Sequence, residues 1–232
     1  MLRSLRYGEA DRILHLYTLD RGRVSAMAKG VRRARSRFGG RLEPFGRVAL
    51  VLHEGRSELL TITGADTIEP HRRLRESAAG LDAAARACDA VARLFETAES
   101  HPPVYHLLCH ELALLDADPA AATLANQLAF RLKLLLAAGL APQLSACAAC
   151  GERDHLAGFS GAAGGVVCGA CEGSGFPFGE AAHAFMTGAL GRPLREAPAA
   201  DERALRQAER AIRETAEHHA HVRLRAATGH NG

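Results

Sequence analysis

Four cysteines constrain what this chain can fold into more than any other feature. Cys147 and Cys150 form one C-x2-C, seventeen residues intervene, and Cys168 and Cys171 form a second. Thiolates this close on a tight turn converge on one ion, and two such turns complete a tetrahedral shell. The spacing lies in the zinc-ribbon range. Four ligands of one soft type leave no open coordination position, so the expected Zn2+ is a single structural ion and not a catalytic one. A redox C-x-x-C pair or two disulfides are the competing readings. Gly151, Gly164, Gly165, Gly169 and Gly173 suit knuckles and ribbon turns and favour zinc.

The quartet divides a chain of 232 residues, long enough for two domains with an inserted module. Hydrophobic residues make up 47% and tryptophan is absent, so aliphatic packing must dominate the cores. No stretch approaches about eighteen uninterrupted apolar residues, which argues against a membrane partner. The opening MLRSLRYGEADR has charges but no apolar h-region. The expected location is therefore the cytoplasm, whose reducing conditions again favour metal over disulfide. Cys88 and Cys109 fall in apolar helical patterns and are expected as buried small hydrophobes.

Net charge is +3 but unevenly spread. Residues 1–80 carry sixteen Lys+Arg against nine Asp+Glu, and the remainder thirteen against seventeen. A basic first third suggests that one end meets a polyanion.

From Asp11 to about Pro70 the pattern is strand-like. DRILHLYTL, GRVSAMAKG, GRVALVLHE and SELLTITGAD are short, partly β-branched, and separated by turn signals at Asp20-Arg21-Gly22 and Glu54-Gly55-Arg56. In the third, Val48, Leu50 and Leu52 alternate with Ala49, Val51 and His53, which predicts burial on both faces. Such strands with no strong helix between them suggest a small closed barrel, of OB or SH3-like type. Between the second and third lies a basic loop holding Lys29, Arg32, Arg33, Arg35, Arg37 and Arg41, with Phe38 among them. Residues 21–47 contain nine basic side chains and one acid, Glu43. Guanidinium forks pair bidentately with phosphate oxygens, and an aromatic between them can stack on a base, so these seven residues are the candidate DNA contacts. A solvated loop is the competing reading.

Beyond Arg75 the period changes to a helical one. AGLDAAARACDAVARLFETAE places Leu81, Cys88, Val91 and Leu94–Phe95 near one face; VYHLLCHELALLDAD and AATLANQLAFRLKLLLAAGLAP follow. Three amphipathic helices with short connections indicate a bundle. Arg131 and Lys133 interrupt an apolar helix and are candidates for gripping an acidic peptide, against simple snorkelling. His106 and His110, and His218 and His221, have helical spacing but no third ligand. Glu180–Leu190 reads as a short helix and Asp201–Ala226 as a long one, with Asp201 as N-cap and a stripe of Leu205, Ala208, Ile212, Ala216 and Val222. The final Gly229-His230-Asn231-Gly232 is expected to fray.

No G-x-x-x-x-G-K-[ST], G-x-S-x-G or H-E-x-x-H occurs, so no catalytic constellation is visible and an enzyme is not expected.

Three blocks resemble the bacterial DNA repair family RecO, a family of recombination mediators. They are Tyr7-Gly8-Glu9-Ala10-Asp11-Arg12-Ile13-Leu14; Lys29-Gly30-Val31-Arg32-Arg33 with Ser36-Arg37-Phe38-Gly39-Gly40-Arg41-Leu42-Glu43-Pro44-Phe45; and Phe130–Gly139 followed by Ala141-Pro142-Gln143-Leu144 and Cys147-Ala148-Ala149-Cys150-Gly151. The resemblance covers nearly the whole chain and implies an α+β protein. An N-terminal OB-fold (1–75) would precede a helical domain (76–232) with a zinc ribbon (146–173) inserted in it. It further implies binding of single- and double-stranded DNA, annealing of complementary strands, and work with RecR to load the recombinase RecA onto strands covered by single-strand-binding protein. The acidic C-terminal tail of that protein would be gripped by the helical domain, and the location would be nucleoid-associated. Lys29, Arg32, Arg33, Arg37 and Arg41 match the family's basic loop, and the four cysteines its zinc ligands; Arg131 lies in the helix resembling the tail-binding region. Family members usually carry further residues, forming most of the first barrel strand, ahead of the segment matching Arg6-Tyr7-Gly8-Glu9, so the expectation is either a start assigned late or a barrel closed by something else. The alternative function is a zinc-containing interaction adaptor with only secondary DNA contact.

Overall fold

The structure, a computed structural model, describes residues 1–55 and 59–227. Five strands precede the first helix: β1 (Arg3–Tyr7), β2 (Asp11–Thr18), β3 (Gly22–Ala28), β4 (Arg47–His53) and β5 (Leu60–Glu69). Side chains alternate across a strand, and the alternation defines the inside. Leu14 and Leu16 of β2 lie opposite Ala26 and Val24 of β3, and all four are buried. They form one core with Phe38, Leu42 and Ile62. The β2–β3 hairpin turns at the expected place. Thr18 Oγ1 takes the Arg21 N–H (3.1 Å) and donates to the Gly22 carbonyl (3.1 Å). Gly22 has φ +60°, and a Cβ there would stand 2.0 Å from the Glu99 carbonyl oxygen, so no other residue fits.

The strand order is β1-β2-β3-β5-β4, with β3 and β5 parallel and the other pairs antiparallel. This is the Greek-key order of the partly open OB barrel and not of an SH3-like one. β1 and β4 are the two edges and are not hydrogen-bonded to each other. Beside that opening is a cavity of about 370 Å³ lined in part by Leu16, Tyr17, Phe45 and Cys109. The first strand does form: Leu2 N–H donates to the His15 carbonyl (2.9 Å), and the Met1 amine to that of Gly46 (3.1 Å).

β4 departs from expectation. Val51 is 63% exposed and Ala49 and His53 are also exposed, so only the Val48–Leu50–Leu52 face turns inward. An edge strand with one face on the core needs no second buried face. Arg56 of the expected turn, and the final Gly229-His230-Asn231-Gly232, lie outside the described residues.

Three helices complete the first compact unit, Met1–Pro119: α1 (Arg72–Glu76), α2 (Ala78–Leu94) and α3 (Pro102–Ala117). Ser77 ends α1 and caps α2, its side chain accepting the Gly80 N–H (3.2 Å). α2 presents Ala83, Ala84, Ala87, Cys88 and Val91 to its neighbours; Leu81 is 37% exposed and off that face. The helix stops at Leu94, short of Glu99. Phe95 leaves helical geometry to set its ring edge-on to Tyr17 and His101. Pro102 and Pro103 open α3, where their missing N–H groups cost nothing. By compactness α1–α3 group with the barrel, and the chain divides after Pro119.

The second unit, Ala120–Gly232, holds α4 (Leu124–Ala137), the strands β6 (Leu156–Ser160), β7 (Gly165–Cys168) and β8 (Phe176–Pro177), then α5 (Glu180–Gly191) and α6 (Glu202–His219). Thr123 caps α4 through the Asn126 N–H (3.1 Å), and Asp201 caps α6 through the Ala204 N–H (2.7 Å). α4, α5 and α6 pack on one another, which makes the ribbon an insertion between α4 and α5. α6 ends at His219, seven residues before Ala226, because His221 turns left-handed (φ 55°). The chain then folds back and buries Leu224 and Ala227.

Candidate metal centre and nucleic-acid interface

The four cysteines meet on two short turns. Gly151 adopts φ 81° and its N–H donates to the Cys147 carbonyl (2.8 Å), closing the first knuckle. The Ala148 N–H donates to the Val166 carbonyl (2.8 Å) and fastens that knuckle to β7. β7 delivers Cys168, and the Cys171 N–H donates to the Cys168 carbonyl (2.9 Å) to close the second. All four Sγ atoms lie within 4.8 Å of one another, and those of Cys150 and Cys168 are 3.7 Å apart. A tetrahedron with metal–sulfur bonds of about 2.3 Å has sulfur–sulfur edges of about 3.8 Å. A disulfide needs about 2.05 Å, and all six cysteines are free thiols. Cys147 and Cys168 are buried against Val167, whereas Cys150 is exposed.

The electrostatics point the same way. Backbone N–H groups, that of Cys168 foremost, pull Cys147 down to about 6. The thiols of Cys150 and Cys168 push Cys171 up to about 12. One thiolate forms readily and resists the next, a conflict that a divalent cation removes. Among the described residues this quartet is the only group of three or more His, Cys, Asp or Glu with ligating geometry. His106, His110, His218 and His221 are exposed and form no such group.

The basic loop fills the interval between β3 and β4. Phe38 and Leu42 are 1% and 2% exposed and plug the barrel core, each burial stabilising by about 1.5–3 kcal/mol. Phe38 therefore serves as an anchor. Its ring is enclosed, with the Arg37 guanidinium 4.7 Å from its centroid, and no base can reach it to stack. The expected DNA contact at Phe38 is corrected on that ground. Around these anchors Lys29, Arg32, Arg33, Arg35, Arg37 and Arg41 are all exposed. Arg32 donates to the Glu9 carbonyl (2.9 Å), Arg37 to that of Ile62 (3.0 Å), and Arg41 to that of Arg37 (3.2 Å). None of the six forms an ion pair with an acid among the described residues. Two of the three basic residues flanking them do: Arg21 pairs with Glu54 and Arg47 with Glu69. The loop is stitched to the β1–β2 hairpin as well, since Asp11 Oδ1 accepts the Gly30 N–H (2.7 Å) and the Ala10 carbonyl accepts that of Arg32 (2.9 Å).

Arg131 and Lys133 differ in access: the first is buried and the second half-buried. Arg131 is 2% exposed, and the Lys133 amine donates to the Leu190 carbonyl (3.2 Å) and is held below its ordinary pKa by burial. The packing of α5 and α6 on α4 encloses the Arg131 side chain, so the expected peptide contact at Arg131 is corrected. Tyr7, at the end of β1, is 54% exposed.

Fold and site together define the class: a partly open OB-type barrel bearing an uncompensated cationic loop, joined to a helical unit with a closed four-cysteine centre. Residues 1–71 match the family model "Recombination protein O N terminal", and residues 75–227 match "Recombination protein O C terminal". The chain is 42% identical to the DNA repair protein RecO of Rubrobacter xylanophilus over 176 residues, which cover 74% of this chain and 68% of that one. It is 35% identical to the DNA repair protein RecO of Anaeromyxobacter sp. strain Fw109-5 over 238 residues, covering 97% and 91%. The chain belongs to the RecO family of DNA repair proteins. Among the described residues no helix is long and apolar enough to cross a membrane.

Proposed function

We propose that this chain is a non-enzymatic recombination mediator. It binds single- and double-stranded DNA, anneals complementary strands, and with RecR helps load a recombinase onto strands covered by single-strand-binding protein. The observation that carries the reading is the loop from Lys29 to Arg41, where six exposed cations form no ion pair with a carboxylate among the described residues. Annealing needs no active site. Two phosphate backbones screened on one cationic surface repel each other less, and base pairing supplies the driving force. Lys29, Arg32, Arg33, Arg35, Arg37 and Arg41 neutralise phosphates, while Phe38 and Leu42 hold the loop that carries them. Cys147, Cys150, Cys168 and Cys171 hold one structural Zn2+, which folds the ribbon and supplies no chemistry to a substrate. RecR and the acidic tail of single-strand-binding protein are the proposed protein partners, with Lys133, half-buried on α4, the remaining candidate contact for the tail. The cytoplasm, at the nucleoid, is the proposed location.

The test is an annealing assay on complementary oligonucleotides, with and without single-strand-binding protein, beside a salt titration of single-strand affinity. Each lost phosphate contact lowers the salt slope by about 0.7. Reversal of Arg32, Arg33 and Arg37 to Glu is expected to abolish annealing and flatten that slope. Unchanged affinity and slope would place DNA elsewhere, and protein association that survives high salt without DNA binding would make the chain an adaptor.

A further inference from the structure

The four-cysteine centre is unevenly shielded. Cys147 and Cys168 are 3% and 5% exposed and pack on Val167, with Leu156 and Ala163 beside them. Cys171 is half-buried, and Cys150 alone of the four is exposed. An oxidant in solution therefore meets one sulfur first, because oxidation of a thiolate follows its access. Across the two knuckles, the Cys168 Sγ lies 3.7 Å from that of Cys150. The ribbon also has two halves with separate supports. The knuckle half rests on the cysteines, since Cys147, Cys168 and Cys171 are themselves part of its apolar cluster. The other half rests on Phe159, Phe176 and Phe178, each 4% exposed or less, with ring centroids 5.4 to 6.2 Å apart. β6 and β8 pair there through Phe159 and Phe176, and the Arg210 guanidinium of α6 lies 4.0 Å from the Phe176 centroid. The His219 ring of α6 stands 2.7 Å from the Gly161 carbonyl. None of these contacts involves a cysteine, so loss of the centre opens the knuckles and leaves the sheet docked on α6.

We infer that the centre is a peroxide-sensitive switch, in which exposed Cys150 is oxidised first and Cys168 closes a disulfide on it, opening the knuckles reversibly. This rests on the reading of the quartet as a zinc site and adds a regulation to it. The Cys150 thiolate attacks one oxygen of hydrogen peroxide. The S–O bond forms, the O–O bond breaks and hydroxide leaves, so the sulfur becomes a sulfenic acid and its two electrons reduce the peroxide. The Cys168 thiolate then attacks that sulfur. The S–S bond forms, the S–O bond breaks and a second hydroxide leaves; solvent protons turn both hydroxides to water. Closing 3.7 Å to about 2.05 Å draws the first knuckle toward β7. Cys147 and Cys171 are left as two thiolates, too few for a closed structural site, and they release the ion. A thiol reductant reverses the disulfide by exchange.

The experiment treats the reduced, zinc-loaded full chain with hydrogen peroxide. A metallochromic dye reads free zinc, peptide mapping reads the disulfide, and hydrogen exchange reads the two halves of the ribbon. The expected result is release of the ion, a disulfide joining Cys150 to Cys168, and lost protection at the Ala148, Gly151 and Cys171 amides with protection along β6 retained. Dithiothreitol with added zinc restores the starting state. Dimedone, which traps sulfenic acids, is expected to label Cys150 of the unaltered chain before the other three. Cys150→His keeps four ligands, because three thiolates and an imidazole also make a structural site. It removes the exposed sulfur, and zinc release is expected to slow about tenfold. Zinc retained under peroxide, first labelling at another cysteine, a disulfide of different pairing, equal release from Cys150→His, or loss of β6 protection together with the knuckles overturns the inference. If the reduced chain holds no zinc before peroxide is added, it is the parent reading that fails.

Discussion

Phe38 separates two physical roles that an aromatic in a basic loop can have, and the structure sets the size of the effect. Its ring is 1% exposed in one core with Leu14, Leu42 and Ile62. Phe38→Ala removes the transfer energy of the ring and leaves a cavity, together about 3–5 kcal/mol. Against a typical domain stability of about 5–15 kcal/mol, the loss should leave the barrel marginal and the loop without its anchor. Phe38→Leu keeps most of the apolar volume and should cost about 2 kcal/mol. Hydrogen exchange at the β2 and β3 amides reads barrel stability, and anisotropy with a labelled single strand reads affinity. The expected pattern is graded loss of protection, Ala well below Leu, with Phe38→Leu retaining affinity within about twofold. A ring that stacked on DNA would behave in reverse. Phe38→Leu would then lose about 1–3 kcal/mol of single-strand affinity with barrel protection unchanged, and that result would refute the anchor.

The remaining expectations are shorter. Protein purified under reducing conditions is expected to contain about one zinc per chain by elemental analysis, and Cys147→Ser or Cys168→Ser to lose both the metal and ribbon protection; absence of metal in the unaltered chain would contradict the site. His15 is held below its ordinary 6.5, by burial first and then by Arg23 and Arg3, while its Nδ1 lies 2.9 Å from Ser25 Oγ. A histidine whose folded pKa is depressed contributes stability that is complete above 6.5 and lost as pH falls from there toward the folded value. Barrel stability should therefore decline below about pH 6.5, and His15→Asn should flatten that part of the profile in urea midpoints taken across pH.

What was legible in the sequence was whatever local chemistry decides. The cysteine spacing needed only knuckle geometry, and the sulfurs lie where two knuckles put them. Asp201 could be read as an N-cap because capping is a contact over three residues. The strands of the barrel were legible from alternation, but their closure was not: the OB order rests on a parallel pairing of Ala26 with Leu60 and Met27 with Thr61, between residues more than thirty apart. Composition also failed for side chains that belong to two patterns at once. Phe38 sits among arginines in the chain and among leucines in space, because the loop between β3 and β4 must cover the barrel core and does so with Phe38 and Leu42. Arg131 sits in a helix and reads as a charge for a partner, yet α5 and α6 leave it 2% exposed. Solvent access, set by long-range packing, decides whether a ring in a cationic loop can meet a base, and neighbouring charge alone does not.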